Sequence, residues 1–331
     1  MNTWLLKTEH DPLARTRGFL RAVWDHAGLD GMVVPAYQPD GRSVKQSVLH
    51  DPVSLREADP FVPLMQVNAS SLVIQWARWR PQARMAAVLR PCEFRALRQQ
   101  AKSTGADLEN WMMIGVDCPA CFPVQDFEWR VERAGSVEAL TRDVLRNMRQ
   151  GGVALDRFRS ACSMCTKPGA LQEDICLGLL GLPVKDLILV KANNASVLER
   201  LPLGQLCDAA APQVVVALHD HMLQVVKERR ERIRDRQASE LTPDLPSDLD
   251  QLVTFLENCQ PCVRCMEACP VSAQTLVPAV MSHALTREMV REWLASCAEC
   301  GMCEQICPKQ MPLAAIMNRV RRESAIASLA A

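Results

Sequence analysis

Two stretches of this sequence repeat one pattern. The first is Cys259-Gln-Pro-Cys262-Val-Arg-Cys265-Met-Glu-Ala-Cys269-Pro270, and the second is Cys297-Ala-Glu-Cys300-Gly-Met-Cys303-Glu-Gln-Ile-Cys307-Pro308. Both read C-x₂-C-x₂-C-x₃-C-P. Three thiolates two residues apart can wrap one inorganic cube in a single loop. A fourth cysteine followed by proline leaves that loop at a turn and reaches a second cube. The spacing therefore predicts two [4Fe–4S] clusters that exchange their last ligand. One takes Cys259, Cys262, Cys265 and Cys307, and the other takes Cys297, Cys300, Cys303 and Cys269. Zinc also uses four cysteines in tetrahedral sites, so a pair of zinc centres is the alternative. Zinc seldom uses four closely packed cysteines with a proline, twice over.

The rest of the chain has to accommodate these centres. It has 331 residues, 48% hydrophobic and 23% charged, which suits a folded chain of about two domains and excludes disordered or fibrous classes. Lys plus Arg and Asp plus Glu both number 38, so no basic surplus argues for nucleic acid. No stretch is apolar for the roughly 18 residues a spanning helix needs. Residues 1–17 are broken by Lys7, Glu9, His10, Asp11 and Pro12, so they do not read as a secretory signal. A cytoplasmic location is the expectation, and there 15 cysteines point to metal or redox chemistry more than to disulfides.

Residues 1 to about 225 alternate between helical and strand-like patterns, within a first domain of residues 1–240. Helices are predicted over 11–28, 70–79, 93–102 and 137–148, and strands over 31–36, 84–90, 111–117, 187–191 and 214–218. Apolar runs interleaved with helices predict an α/β domain with a partly parallel sheet. Residues 227–236 carry six basic and three acidic side chains at helical spacing and read as a solvated face. The prolines in Leu241-Thr-Pro-Asp-Leu-Pro-Ser-Asp suggest a linker over 241–250. Residues 251–331 then form a mainly α-helical dicluster domain, with helical spacing over 276–295 and 312–322. That last domain resembles the α-helical ferredoxins of heterodisulfide reductase C-type and fumarate reductase iron–sulfur subunits.

Four further cysteines suggest a third centre. Cys92 and Cys118 each follow the carboxyl end of a predicted strand, where ligands of open α/β sheets bind. Cys162-Ser-Met-Cys165 is a chelating pair. Together these four would make another Cys₄ site, with Cys121 as a substitute for Cys118. Cys176 and Cys207 lack ligand-spaced neighbours and read as buried apolar residues. His219-Asp-His221 reads as a pair of core or surface groups rather than metal ligands. No P-loop, dinucleotide fingerprint or nucleophile elbow is present, and no catalytic residue is expected.

Three segments resemble ordered motifs of one family. They are Val88-Leu-Arg-Pro-Cys92-Glu-Phe-Arg-Ala-Leu97, Ile114-Gly-Val-Asp-Cys118-Pro-Ala-Cys-Phe-Pro123 and Cys162-Ser-Met-Cys165. The family is the beta-subunit family of F420-dependent hydrogenases and dehydrogenases, formate dehydrogenase beta subunits included. The similarity runs over about residues 11–195. It implies that Cys92, Cys118, Cys162 and Cys165 hold a [4Fe–4S] cluster, and that FAD lies near Gly18, Asp174, Gly178 and Gly181. The stretch matching the family's glycine-rich helix start, Arg15-Thr-Arg-Gly18-Phe-Leu, has a single glycine. Asp174-Ile-Cys-Leu-Gly178-Leu-Leu-Gly181 matches the family in part.

Two functions follow as expectations. The first is a flavin-containing iron–sulfur subunit that passes electrons between a catalytic redox partner and a soluble carrier. Its setting would be a formate dehydrogenase, hydrogenase or heterodisulfide reductase-type assembly. The second is a flavin-free wiring and docking module with no substrate of its own. In both, the chain is not catalytic alone and binds neither nucleic acid nor, directly, a membrane.

Overall fold

The structure is a computed structural model, and it describes residues 2–152, 158–259 and 262–324. Its N-terminal part is built on one mixed sheet of eight strands. They are β1 (Asn2–Lys7), β2 (Gly31–Tyr37), β3 (Val44–Leu49), β4 (Met85–Leu89), β5 (Trp111–Val116), β6 (Ile175–Gly178), β7 (Leu187–Ala192) and β8 (Ala209–Ala210). The spatial order is β3-β2-β4-β5-β6-β7-β1-β8. The middle strands β2, β4, β5 and β6 run parallel, whereas β3 on one side and β7, β1 and β8 on the other pair antiparallel. The partly parallel α/β sheet expected from sequence is thus present.

The apolar runs of β4 and β5 are buried along their whole length, as parallel strands covered on both faces require. Alternate side chains divide between two cores. Ala86, Val88, Met112, Ile114 and Val116 join the core beneath helix Pro12–Ala27, with Phe19, Leu20 and Val23. Met85, Ala87, Leu89, Trp111 and Met113 pack on helices Ser70–Trp79 and Pro91–Thr104, with Val73, Ile74 and Leu97. Helix Pro12–Ala27 is delimited locally. The Asp11 side chain caps its start, proline follows directly, and Gly28 closes it at φ 56.

One strand prediction is corrected. Residues 214–218 open the long helix Gln213–Ser239. Pro212 immediately precedes the first turn, and the long run of helix formers that follows outweighs three β-branched valines. Helicity predicted as one stretch over 276–295 is also divided, into Ala273–Met281 and Arg287–Ser296. His283, at φ 56, lies in the turn between them. Residues 325–331, assigned by sequence to the C-terminal domain, lie outside the described residues.

Helices Leu249–Asn258, Ala273–Met281, Arg287–Ser296 and Leu313–Glu323 enclose a core of their own. Leu252, Leu256, Leu276, Val280, Val290, Trp293, Leu294, Ile316 and Val320 form it. Cys265, Cys269, Cys303 and Cys307 pack against its edge.

The helical part sits on the open end of the sheet. Arg95 donates to the Ala298 carbonyl at 3.0 Å and Gln305 to the Met65 carbonyl at 3.0 Å. Gln100 bonds to the Pro270 carbonyl and Ser160 to Glu304. At Gly301 the backbone turns with φ 67, and a Cβ there would lie 2.3 Å from that of Ala161. Only glycine allows both that turn and that approach.

Candidate metal centres

Because β4 and β5 are parallel and in register, with Leu89 opposite Gly115, their carboxyl ends emerge at one edge. Cys92 therefore enters the first turn of helix Pro91–Thr104 beside Cys118, three residues before Cys121. The loop carrying Cys118 is fixed on two sides. Its N–H donates to the Pro168 carbonyl at 2.8 Å, and the preceding Asp117 carboxylate accepts from the N–H groups of Ala170, Leu179 and Leu180 at 2.8–3.0 Å. Ala120 turns the loop back at φ 102. The second segment is tied to the first where the Arg159 N–H meets the Cys121 carbonyl at 3.0 Å, bringing in Cys162 and Cys165.

All four predicted ligands, with Cys121, consequently line one small cavity, which Met65, Pro91, Ala120, Ala161, Lys167, Arg230, Glu299 and Cys300 complete. Among the described residues, no three His, Cys, Asp or Glu groups gather closely enough to hold a single ion. The thiols ring a space instead.

Their electrostatics differ. Cys121 is buried and hydrogen-bonded to both Cys118 and Cys162. Its bond to Cys162, with the nearby Arg159 and Arg230 guanidinium groups, holds the Cys162 thiol down at about 5 against the penalty of burial. The same Cys121 contact lowers Cys118, helped by Arg90. Cys92 is pushed well up, by burial first and then by the charges of Cys118 and Glu93.

A thiolate-ligated cluster is anionic, so a fitting site needs cations and thiolates together. The cavity has both. Arg230 is 1% exposed and Arg159 7%, yet Nε and Nη2 of Arg230 and Nη1 of Arg159 have no hydrogen-bond partner among the described residues. Buried guanidinium N–H groups without acceptors are costly. Facing thiolates would satisfy them. The residues present fit the group.

Arg230 and Arg234 lie on the segment that the sequence reads as solvated. In fact they continue the inward face set by His219, Met222 and Val226 at helical spacing. Arg234 Nε donates to the Met164 carbonyl at 3.1 Å, and its Nη2 to Glu299 at 2.8 Å. That apolar stripe was the sequence signal that could have placed both arginines inward.

In the helical part Cys265 lies near Cys259, Cys262 and Cys307, and Cys297 and Cys303 lie near Cys269 and Cys300. Cys265 is pushed up to about 12, by burial and then by Cys259, Cys307 and Cys262. Cys297 is likewise raised to about 12, by burial and then by Cys269 and Cys300. Cys303 is raised by burial and by Cys297, Cys300 and Cys269. Ser272 and Trp293 donate to the Cys269 sulfur at 3.1 and 3.3 Å, and the Glu299 N–H approaches that of Cys297 at 3.4 Å. Such N–H and O–H contacts tune thiolate-bound clusters. Electrostatic proximity also links the groups. Cys300 lines the N-terminal cavity and acts on Cys92, while Cys265 acts on Cys303.

The four residues connected with FAD are not gathered round one cavity. Gly18 is exposed in the middle of its helix. Asp174 accepts from the Met113 N–H at 2.8 Å and from Asn194 at 2.9 Å, at the rim of an open groove. A Cβ on Gly178 would lie 2.8 Å from His219, and one on Gly181 2.6 Å from Met222. Both glycines serve the close packing of helix Gln213–Ser239. These residues do not fit a flavin.

His219 is fully buried with Nε2 2.8 Å from Asp117, whereas His221 is exposed on the same helix. The two histidines point apart. Cys176 and Cys207 are buried.

The sequence matches no family model. Over 146 residues it is 22% identical to subunit alpha 1 of the acetyl-CoA decarbonylase/synthase complex of Methanosarcina mazei. That match covers 40% of this chain, and the chain spans 18% of that relative's length. Among solved structures, it resembles a chain of the F420-reducing [NiFe] hydrogenase complex from Methanosarcina barkeri. The TM-score is 0.53 at 11% identity, over 72% of this chain and 92% of that one. At such identity the likeness concerns the fold. Both similar proteins are named as parts of complexes.

Proposed function

We propose that the chain is an iron–sulfur electron-transfer subunit of a larger redox complex, with three [4Fe–4S] clusters and no substrate of its own. The observation that carries this reading is the order in which its cysteines neighbour one another. Cys92, Cys118, Cys162 and Cys165 surround the cavity at the sheet end, and Cys300 forms part of its wall. Cys300 belongs with Cys297, Cys303 and Cys269, and Cys303 in turn neighbours Cys265 of the last set. When bound, the clusters would supply one-electron transfer along this series. The protein's own contribution is to hold the three sets in order, exclude water and balance their charge.

Formate dehydrogenase, hydrogenase and heterodisulfide reductase-type enzymes remain the proposed class of catalytic partner, with a soluble carrier at the other end. Being part of a complex agrees with the names of the similar proteins. Among the described residues no helix is long and apolar enough to cross a membrane. The flavin-free reading is favoured, because Gly178 and Gly181 are filled by the side chains of a packed helix.

Cys92→Ala tests the N-terminal centre. Iron in anaerobically purified protein is expected to fall by about four atoms per chain, one cube, with the two C-terminal clusters retained. Unchanged iron would make Cys92 a core residue. Cys121→Ala in parallel should leave iron unchanged if Cys118 is the ligand.

A further inference from the structure

Arg230 lies two turns before the end of helix Gln213–Ser239, outside every cysteine motif. Its Nη1 donates to the Cys165 carbonyl at 3.3 Å, which fixes the guanidinium against the loop of the last proposed ligand. The residue lines the cavity, is 1% exposed, and keeps Nε and Nη2 without a partner among the described residues. Arg159 approaches from the segment before Cys162. Its Nη2 donates to the Cys300 carbonyl at 2.5 Å, and its Nη1 is unpartnered.

The other charges around the cavity are already committed. Arg90 pairs with Glu93 and donates to the Val62 and Leu64 carbonyls. Arg95 is bonded to the Ala298 and Lys167 carbonyls. Glu299 accepts from both Arg234 and Arg321 at 2.8 Å. Lys167 is exposed to solvent, which screens it. Among the described residues these two buried cations therefore lack an acidic partner, and both lie beside Cys162.

We infer that Arg230, with Arg159 beside it, is a positioning residue that sets the reduction potential of the N-terminal cluster. The inference rests on the reading of this cavity as a cluster site. One-electron reduction adds a negative charge to the cluster without breaking or forming a bond, and the electron comes from an external reductant. A fixed cation in a water-poor cavity favours the more negative state, so it raises the potential. Arginine suits the position because it stays charged when buried and directs several N–H groups from one plane.

The test is a potentiometric titration of the full-length protein with dithionite, followed by electron paramagnetic resonance, alongside iron analysis. Arg230→Gln is expected to retain the iron of the wild type while the N-terminal cluster becomes at least tenfold harder to reduce. Tenfold corresponds to 59 mV for one electron. Arg230→Lys, which keeps the charge, should lie close to the wild-type potential. An unshifted potential in Arg230→Gln overturns the inference, and so does a Lys variant shifted as far as Gln. If the Gln variant does not keep its iron, the Lys variant decides on the same criterion. A wild-type protein lacking the N-terminal signal would instead remove the cluster reading itself.

Discussion

Serine at position 300 should stop electron passage through the complex while leaving the α/β part folded. In the proposed series Cys300 is the point where two of the three cysteine sets meet, since it lies near Cys269, Cys297 and Cys303 and lines the cavity of Cys92. A serine hydroxyl is a poor substitute for a thiolate, so Cys300→Ser is expected to lose that cluster and about four iron atoms. The outer sets would then be separated by the length of a missing centre. Turnover of the complex purified with its partners should fall to less than about a tenth, a change of more than 1.4 kcal/mol in the barrier. Cys207→Ser serves as the control, because Cys207 is buried in the sheet core away from the junction. Turnover near wild type in Cys300→Ser would count against the series.

The second large effect concerns stability. Asp117 is fully buried, accepts from three backbone N–H groups and pairs with the equally buried His219 at 2.8 Å. Burial disfavours its charge, but His219 and those N–H groups outweigh the penalty and hold the carboxyl below the usual range. His219→Ala would leave the buried carboxylate without its side-chain partner. Breaking such a pair costs about 3–5 kcal/mol, against a total stability of about 5–15 kcal/mol for an ordinary domain. Urea unfolding monitored on the N-terminal part should show a much lower midpoint. His221→Ala, on the exposed side of the same helix, should change stability by less than about 0.5 kcal/mol. Equal midpoints for the two variants would contradict the role given to the pair.

The difference between those histidines was not legible in the sequence. Alternate residues look equivalent on a strand, and 214–218 carry β-branched residues that suggest one. Once the segment is a helix, His219 and His221 point in different directions. The same change of element explains the arginines. A basic run read without its upstream stripe looks uniformly solvated. Read after His219, Met222 and Val226, it brings Arg230 and Arg234 inward.

The C-terminal cysteine pattern was far more legible, because close spacing of cysteines is a local property that needs no tertiary information. Cys92 and Cys118 were intermediate. Their position after strand ends suggested one crevice, but only the parallel pairing of β4 and β5 makes those ends adjacent. Gly178 and Gly181 show the reverse. A glycine can be required by a cofactor or by a packed helix, and the sequence does not distinguish them. Here His219 and Met222 occupy the space.

Iron and acid-labile sulfide per chain, measured with zinc on protein purified without oxygen, test the central claim most directly. Three cubes predict about 12 iron and 12 sulfide atoms with no stoichiometric zinc. About 8 of each would contradict the N-terminal centre, and zinc in place of iron would contradict all three.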